Sequence, residues 1–377
     1  MEAPPSRRLE GLSGSYMALL RVGFLTGSDS WLQKQKLTAK YLKMRLEGVV
    51  YPDVFALPDF IGARCEFLCD GDPIVDSKYD LLMSELNGSD RQLEYLNSVV
   101  AGQRVPVAVI PGPPEIIARG LTQHRLNLVC QILSGAEYVW AYSETIRDFC
   151  DGLVDGCKAQ VIPWPFDTAT AVRIGATARP KTSGKIQILL NAPLRFHANT
   201  HNYPFLLKSA LLRVWNDLPM DVRQRVTFHS FIYHPDDEAS FHNTGFSEGL
   251  PIVLERNKSY SRFIRFIAEC DAVVNVLYGN VLGRITFLAG ALDRPGVFGD
   301  TSEINRKLYP TATVPLLSPG RLEKALRDLF SSLIQNTPDC RFLPCHAAVR
   351  EVGDFPMNAS RFRSIIEDAQ ETYVPGG

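Results

Sequence analysis

The chain has 377 residues, of which 45% are hydrophobic and 21% charged, and its formal net charge is −1. This length exceeds that of one ordinary core and predicts two domains, in a composition typical of globular proteins. The near-neutral charge excludes a basic surface over the whole chain, of the kind that binds nucleic acid, but leaves a local basic patch open.

The N-terminal residues lack the pattern of a signal peptide, so we predict a disordered leader at 1–16 and a cytoplasmic protein. No apolar run reaches eighteen residues, and we therefore expect no membrane-spanning helix. The eight cysteines lack the paired spacing of a zinc site. We expect reduced thiols and no bound metal.

Short apolar segments alternate with helical patterns through the first half of the chain. Strands are predicted at 19–25, 80–86, 105–111 and 138–143, and helices at 31–46, 115–133 and 144–153. Ser143 is placed to cap the helix that follows it. A segment at 159–167 closes this half, and the small, polar residues 168–184 predict a linker.

The same alternation restarts after the linker. Strands are predicted at 185–193, 225–233, 271–278 and 295–299, and helices at 203–218, 259–270, 284–292, 321–334 and 358–374. Repeated strand–helix units favour an α/β fold with mostly parallel sheets. We predict two doubly wound, Rossmann-like domains at 17–167 and 185–354 that face a cleft, and a C-terminal segment, 355–377, that packs back on the first domain.

One segment of the second half carries a recognisable pattern, DAVVNVLYGNVLGRITFLAGALDRPGVFGD, at 271–300. It resembles the signature of the GT-B glycosyltransferases of the retaining family-4 type. The positions that coincide without a gap are Asp271, Gly283, Ala289, Ala291 and Pro295. The two glutamates of that signature fall on Asn280 and Leu288.

The resemblance extends over nearly the whole chain from about residue 17. It implies a GT-B fold and the transfer of a sugar from a nucleotide-diphosphate sugar, with no further cofactor or metal required. It implies that Arg195, just past the strand at 185–193, faces the donor phosphates. Asn280 then takes the place of the glutamate that contacts the donor sugar, and Leu288 that of the glutamate that holds the ribose.

The turn into the helix at 284–292 is the central donor-site candidate. Val281, Leu282 and Gly283 would present backbone N–H groups at a helix start, where anions bind, and Arg284 would add a positive charge. The alternative is a plain turn into a buried helix, with the arginine on the surface. Glu303, after the last strand, is the carboxylate that could replace the missing ribose ligand.

Two further candidates lie in the first half. Gly27, Ser28 and Asp29 follow the first strand and would line the cleft, although an ordinary turn with a helix cap explains them equally well. His124 is a candidate for the catalytic residue if its helix faces the cleft.

The sequence thus predicts a glycosyltransferase whose acceptor is a glycan, a small molecule or a nucleobase. The alternative is a catalytically inactive binding or scaffold protein with the same fold, which the changed glutamates favour. A sugar-nucleotide epimerase shares the two-domain layout, but no motif of that class is present. The oligomeric state and the donor sugar are not predicted.

Overall fold

The structure is a computed structural model. It describes residues 20–26, 35–36, 38–40, 42, 53–86, 89–102, 105–112, 122–157, 159–179, 184–191, 204–232, 248–256, 259–276, 283–315, 318–337 and 339–372. These residues form two six-stranded sheets in which every pair of neighbouring strands is parallel. The α/β class and the two doubly wound halves predicted from the sequence are therefore confirmed.

The first sheet has the order β2-β1-β3-β4-β5-β6. Its strands are β1 (Arg21–Leu25), β2 (Arg64–Leu68), β3 (Leu81–Leu86), β4 (Val107–Pro111), β5 (Tyr138–Ala141) and β6 (Ala159–Val161). All five residues of β4 and all four of β5 are buried. Continuous apolar runs of this kind are typical of parallel strands that helices cover on both faces.

The second sheet has the order β12-β11-β10-β7-β8-β9. Its strands are β7 (Ile186–Leu190), β8 (Val226–Ile232), β9 (Ile252–Arg256), β10 (Ala272–Asn275), β11 (Gly296–Gly299) and β12 (Thr313–Val314). The edge strand β9 has no fully buried residue, whereas β10 and β11 are buried throughout.

Eleven of the helices in the described ranges are labelled here, in chain order. They are α1 (Asp90–Gly102), α2 (Gln123–Gly135), α3 (Glu144–Leu153), α4 (Thr168–Gly175), α5 (Pro204–Asp217), α6 (Tyr260–Glu269), α7 (Arg284–Ala291), α8 (Glu303–Leu308), α9 (Pro319–Gln335), α10 (His346–Val352) and α11 (Phe355–Thr372). Short helical turns occur at Val54–Ala56, Leu57–Phe60, Asp76–Lys78, Met220–Arg223 and Cys340–Phe342. None of these helices has the length and hydropathy needed to cross a membrane.

Side-chain caps fix several helix starts. The predicted cap of α3 is confirmed, because the Ser143 hydroxyl accepts a hydrogen bond of 3.3 Å from the Ile146 N–H. The Asp167 carboxylate caps α4 in the same way, at 2.8 Å from the Thr170 N–H. Helix α4 therefore occupies the first half of the segment predicted as a linker, and its Gly175 lies against Leu292 of the second half. The exact domain boundaries stay predictions.

The C-terminal helix α11 returns to the first half of the chain. Phe362 is fully buried there, with its ring centroid 4.9 Å from that of Trp140 and 6.2 Å from that of Phe60. The Arg363 Nε donates to the Ile61 carbonyl at 2.8 Å. Between the two halves, the ring of Phe166 stacks on that of Phe287 in α7, with 4.4 Å between the ring centroids. These contacts join the two halves away from the cleft.

Replacement of Phe362 by alanine should weaken the packing of α11 on the first half. We expect Phe362→Ala to destabilise the protein by about 3–5 kcal/mol, because it leaves a cavity between aromatic rings. Thermal unfolding and tryptophan fluorescence measure the loss. The neighbouring exposed residue gives a control, Arg361→Ala, which should leave both readouts unchanged; equal effects of the two substitutions would contradict the assigned packing.

Candidate functional site

Each sheet has one topological switch point, which is a pair of neighbouring strands whose following connections lead to opposite sides of the sheet. In the first sheet it lies between β1 and β3, and in the second between β7 and β10. Ligands of doubly wound sheets bind outside the carboxyl ends of the strands at such points. The two candidate regions are therefore the ends of these two strand pairs.

A chain of buried polar side chains crosses the carboxyl end of the second sheet. The Asn191 Nδ2, just after β7, donates to the Asn275 Oδ1 of β10 at 2.8 Å. The Asn275 Nδ2 donates to the Thr286 Oγ1 at 3.1 Å, and that hydroxyl donates to the Asn305 Oδ1 at 2.6 Å. The Asn305 Nδ2 completes the chain at the Gly299 carbonyl, at 2.8 Å.

This polar chain links the starts of α7 and α8 to three strand ends. All four side chains are buried, with at most 7% of their surface exposed. A buried polar network of this kind is stabilising only when its members are paired, because an unpaired group costs about 1–3 kcal/mol. The buried polar side chains therefore hold both helix starts in fixed positions at the edge of the cleft.

Helix α7 begins at Gly283, which has a left-handed backbone with φ of 65°. A Cβ at this position would lie 2.8 Å from the Ile304 Cγ2. Glycine is therefore required by the turn and by the close packing of α8, which is a structural reason independent of any ligand. The N-cap supplies no side-chain acceptor for the first N–H groups of α7.

Arg284, the first residue of α7, reaches the first half of the chain. Its Nη1 lies 3.7 Å from the Asp53 Oδ2, and the Lys40 Nζ lies 3.9 Å from the same oxygen. The other Asp53 oxygen accepts from the Val54 N–H at 2.8 Å. Two cationic side chains thus share one carboxylate at the boundary between the halves. The Arg284 and Lys40 side chains are partly exposed, and ion pairs of such groups contribute little to stability.

A second contact between the halves involves Glu303, the first residue of α8. One carboxylate oxygen accepts from the Thr145 N–H at 2.9 Å and the Thr145 hydroxyl at 3.2 Å, and the other accepts from the Glu144 N–H at 3.1 Å. A carboxylate at a helix N-terminus is favourable electrostatically. Glu303 thus caps α3 of the opposite half. The ribose contact suggested for it stays a prediction, and it would compete with these bonds.

His124 lies on the surface at the start of α2. Its Nε2 is 2.9 Å from the Glu94 Oε1 of α1, and both side chains are more than half exposed. The structure brings it to none of the contacts between the halves described above. Leu288, at the position of the second signature glutamate, is fully buried and faces the core.

Several candidates from the sequence lie outside the described residues, and their positions stay predictions. They are Gly27, Ser28, Asp29, Arg195, Asn280, Val281 and Leu282. The sequence alone gives no signal for four residues of these contacts, Asp53, Asn275, Thr286 and Asn305. Within the described ranges, no group of three His, Cys, Asp or Glu side chains is arranged to hold a metal ion.

Comparisons by sequence give no relatives: no protein-family model matches the chain, and no curated protein matches it. Comparison with solved structures finds proteins of similar fold. Anabaena HepE in complex with UDP and glucose is similar at a TM-score of 0.61 and 12% identity, over 93% of this chain and 100% of that one. HepE in complex with UDP-glucose is similar at 0.60 and 14%, over 93% and 100%.

A further similar structure is the sucrose-phosphate synthase of Thermosynechococcus elongatus. It has a TM-score of 0.65 and 10% identity, over 94% of this chain and 100% of that one. At such identities the likeness shows the fold. The chain has the GT-B fold, with two facing parallel sheets and a C-terminal helix that crosses back to the first.

Proposed function

We propose that the protein is a glycosyltransferase that binds a nucleotide-diphosphate sugar in the cleft and transfers the sugar to an acceptor. One observation carries the proposal: α7 begins at the switch point of the second sheet, and its Arg284 points to the opposite half. The similar HepE structures hold UDP, UDP with glucose, or UDP-glucose, which supports a donor of the same chemical class.

The donor diphosphate would lie at the start of α7. Backbone N–H groups at a helix start attract phosphate, and Arg284 would form a charge-assisted hydrogen bond with it. Lys40 would add a second positive charge from the first half. Arg195 and the turn Asn280–Leu282 are proposed to complete this binding surface. The chain's contribution to catalysis is then to hold the donor in position and to stabilise the charge that develops on the leaving diphosphate.

The finer assignment is the retaining family-4 type. It rests on the alignment of Asp271, Gly283 and Pro295 with that signature. In place of the two glutamates, the chain has Asn280, which can form hydrogen bonds, and the buried Leu288, which cannot. We propose that ribose recognition comes from another part of the cleft.

The donor site is tested by thermal shift with UDP, GDP and ADP and with their glucose conjugates. We expect at least one to stabilise the wild type, and Arg284→Ala and Arg195→Ala to weaken its affinity about tenfold or more, since each removes a charge-assisted hydrogen bond.

Arg213 provides a matched control, because it pairs with Glu323 on the outer helices α5 and α9, with its Nη1 3.5 Å from the Glu323 Oε2. Arg213→Ala should bind nucleotide normally. If none of the nucleotides stabilises the wild type, the donor site is refuted. Donor binding with no hydrolysis or transfer would instead favour the inactive binding protein.

Thr286→Val tests the buried polar chain. The substitution keeps the volume but leaves the Asn275 Nδ2 and the Asn305 Oδ1 without their partner. We expect a loss of about 2 kcal/mol or more, which lowers the unfolding midpoint by about 4–8 °C, together with weaker nucleotide binding. Thr227→Val on β8 is the control. An equal shift of the unfolding midpoint in both variants would show that the buried polar chain has no special role in stability.

Glu303→Ala tests the contact that joins α8 to α3. Without the carboxylate, three hydrogen bonds between the halves are lost. Small-angle X-ray scattering without nucleotide should give a larger radius of gyration than for the wild type. The control is Glu351→Ala, which removes an ion pair with Lys307 inside the second half. An unchanged radius in Glu303→Ala would contradict a role in holding the cleft together.

A further inference from the structure

The carboxylate of Asp53 lies close to two cationic side chains at the boundary between the halves. Its Oδ2 is 3.7 Å from the Arg284 Nη1 and 3.9 Å from the Lys40 Nζ. These two cations are the ones proposed to bind the donor diphosphate. A negative charge of the protein itself therefore lies beside the positive charges that the donor phosphates would use.

The turn that follows Asp53 holds this carboxylate in place. The Asp53 Oδ1 accepts from the Val54 N–H at 2.8 Å and so caps the turn Val54–Ala56. Val54 and Ala56 are 2% and 1% exposed, and the Phe55 ring between them lies 5.1 Å from the ring of Phe24 in β1. Because the carboxylate is tied to the buried core of the first half, a donor phosphate has to draw the Arg284 side chain away from it.

The contact of Asp53 with Arg284 is an attraction between charges and not a fixed hydrogen bond. Its N–O distance of 3.7 Å is longer than a hydrogen bond. The pair of Arg21 with Asp80 differs, because the guanidinium donates at 3.0 Å from Nε and at 2.8 Å from Nη2. Two such bonds fix the direction of an arginine side chain. Asp53 therefore offsets part of the Arg284 charge without fixing where the guanidinium points.

This geometry places Asp53 in competition with any anion that binds Arg284. The exposed fractions of the two side chains are 37% for Arg284 and 23% for Asp53. Partly buried charges are screened by salt less than fully exposed ones. A phosphate at Arg284 would be repelled by the nearby carboxylate, and its attraction to the guanidinium would replace an attraction that the protein already has. Both effects lower the net gain from donor binding.

We propose that Asp53 is an internal competitor of the donor diphosphate for Arg284 and Lys40, so that the protein without nucleotide inhibits its own donor site. The inference rests on the proposed glycosyl transfer and adds a regulation of its donor site. Donor binding exchanges a contact between the halves, Asp53 with Arg284, for a contact of Arg284 with phosphate. Since Asp53 belongs to the first half, the position of that half relative to α7 sets how tightly the donor binds.

The test measures the binding of UDP and of inorganic pyrophosphate to the full chain by isothermal titration calorimetry. We expect Asp53→Asn to bind both probes about three- to fivefold more tightly than the wild type, the change in affinity that corresponds to a partly exposed ion pair. The asparagine oxygen can still accept from the Val54 N–H, so the capped turn is kept.

Asp53→Ser is a second variant that removes the charge and keeps a capping oxygen, so that a folding defect in one variant does not decide the result. It should also bind both probes more tightly. Unchanged affinity in both variants would overturn the inference. Weaker binding in both would overturn it as well, since it would show that Asp53 orients Arg284 for the donor.

Asp217→Asn is the matched control, because it takes the same charge from an arginine–aspartate pair on the outer helices α5 and α9. The Arg327 Nη2 lies 2.7 Å from the Asp217 Oδ2. This variant should bind both probes like the wild type. In an Arg284→Ala background, Asp53→Asn should increase the affinity less than it does in the wild type. An equal increase in the two backgrounds, or in Asp217→Asn, would show a general effect of net charge and overturn the inference.

The two probes separate this inference from the proposed function. If UDP binds the wild type and both Asp53 variants with the same affinity, the competition by Asp53 is refuted and the donor site stands. If UDP, GDP and ADP bind none of the proteins while pyrophosphate follows the expected order, the nucleotide-sugar proposal fails and the competition at Arg284 stands. If neither pyrophosphate nor any nucleotide binds, both are refuted.

Discussion

The packing of Phe362 between Trp140 and Phe60 is the interaction on which the cleft depends. Phe362 lies more than two hundred residues from either partner in sequence, and the packed rings bring α11 onto the first sheet. Because the connecting segment also stacks Phe166 on Phe287, the two halves are joined at two places away from the cleft. The carboxyl ends of the sheets then face each other, and Asp53 and Arg284 come within 3.7 Å.

The contacts across the cleft differ in kind from the contacts behind it. Behind the cleft the halves share buried aromatic rings, each of which removes a large apolar area from water. Across the cleft they share partly exposed polar groups, namely the ion pair of Arg284 with Asp53 and the hydrogen bonds of Glu303 to the start of α3.

The sequence predicted much of this layout. Strand–helix alternation was sufficient for the α/β class, and the apolar runs of β4, β7 and β10 predicted strands, because burial on both faces leaves a continuous apolar pattern. The strands β2 and β9 were missed, since RCEFL and IVLER mix charged and apolar residues at the edges of the sheets. Helix α4 was missed because the small, polar residues that suggested a linker also suit a helix that is capped by Asp167 and buried on one face.

The site was predicted less completely, for reasons of distance along the chain. The sequence singles out Gly283 and Arg284 because a strand, a turn and a helix start lie next to each other there. Asp53 and the partners of Glu303 could not be found in this way, because their roles arise only when segments more than a hundred residues apart meet. The polar chain gave only isolated signals in the sequence, such as single asparagines at strand ends.

Because Glu303 of the second half caps α3 of the first half, the two halves differ in how they tolerate substitutions at this contact. Of its three bonds, two come from backbone N–H groups of the first half and one from the Thr145 hydroxyl. Substitution at 144 or 145 by residues other than proline can therefore remove at most one bond, whereas a single substitution at 303 removes all three. Most of the mutational sensitivity of this contact therefore lies in the second half, and substitutions in the first half leave two of the three bonds intact.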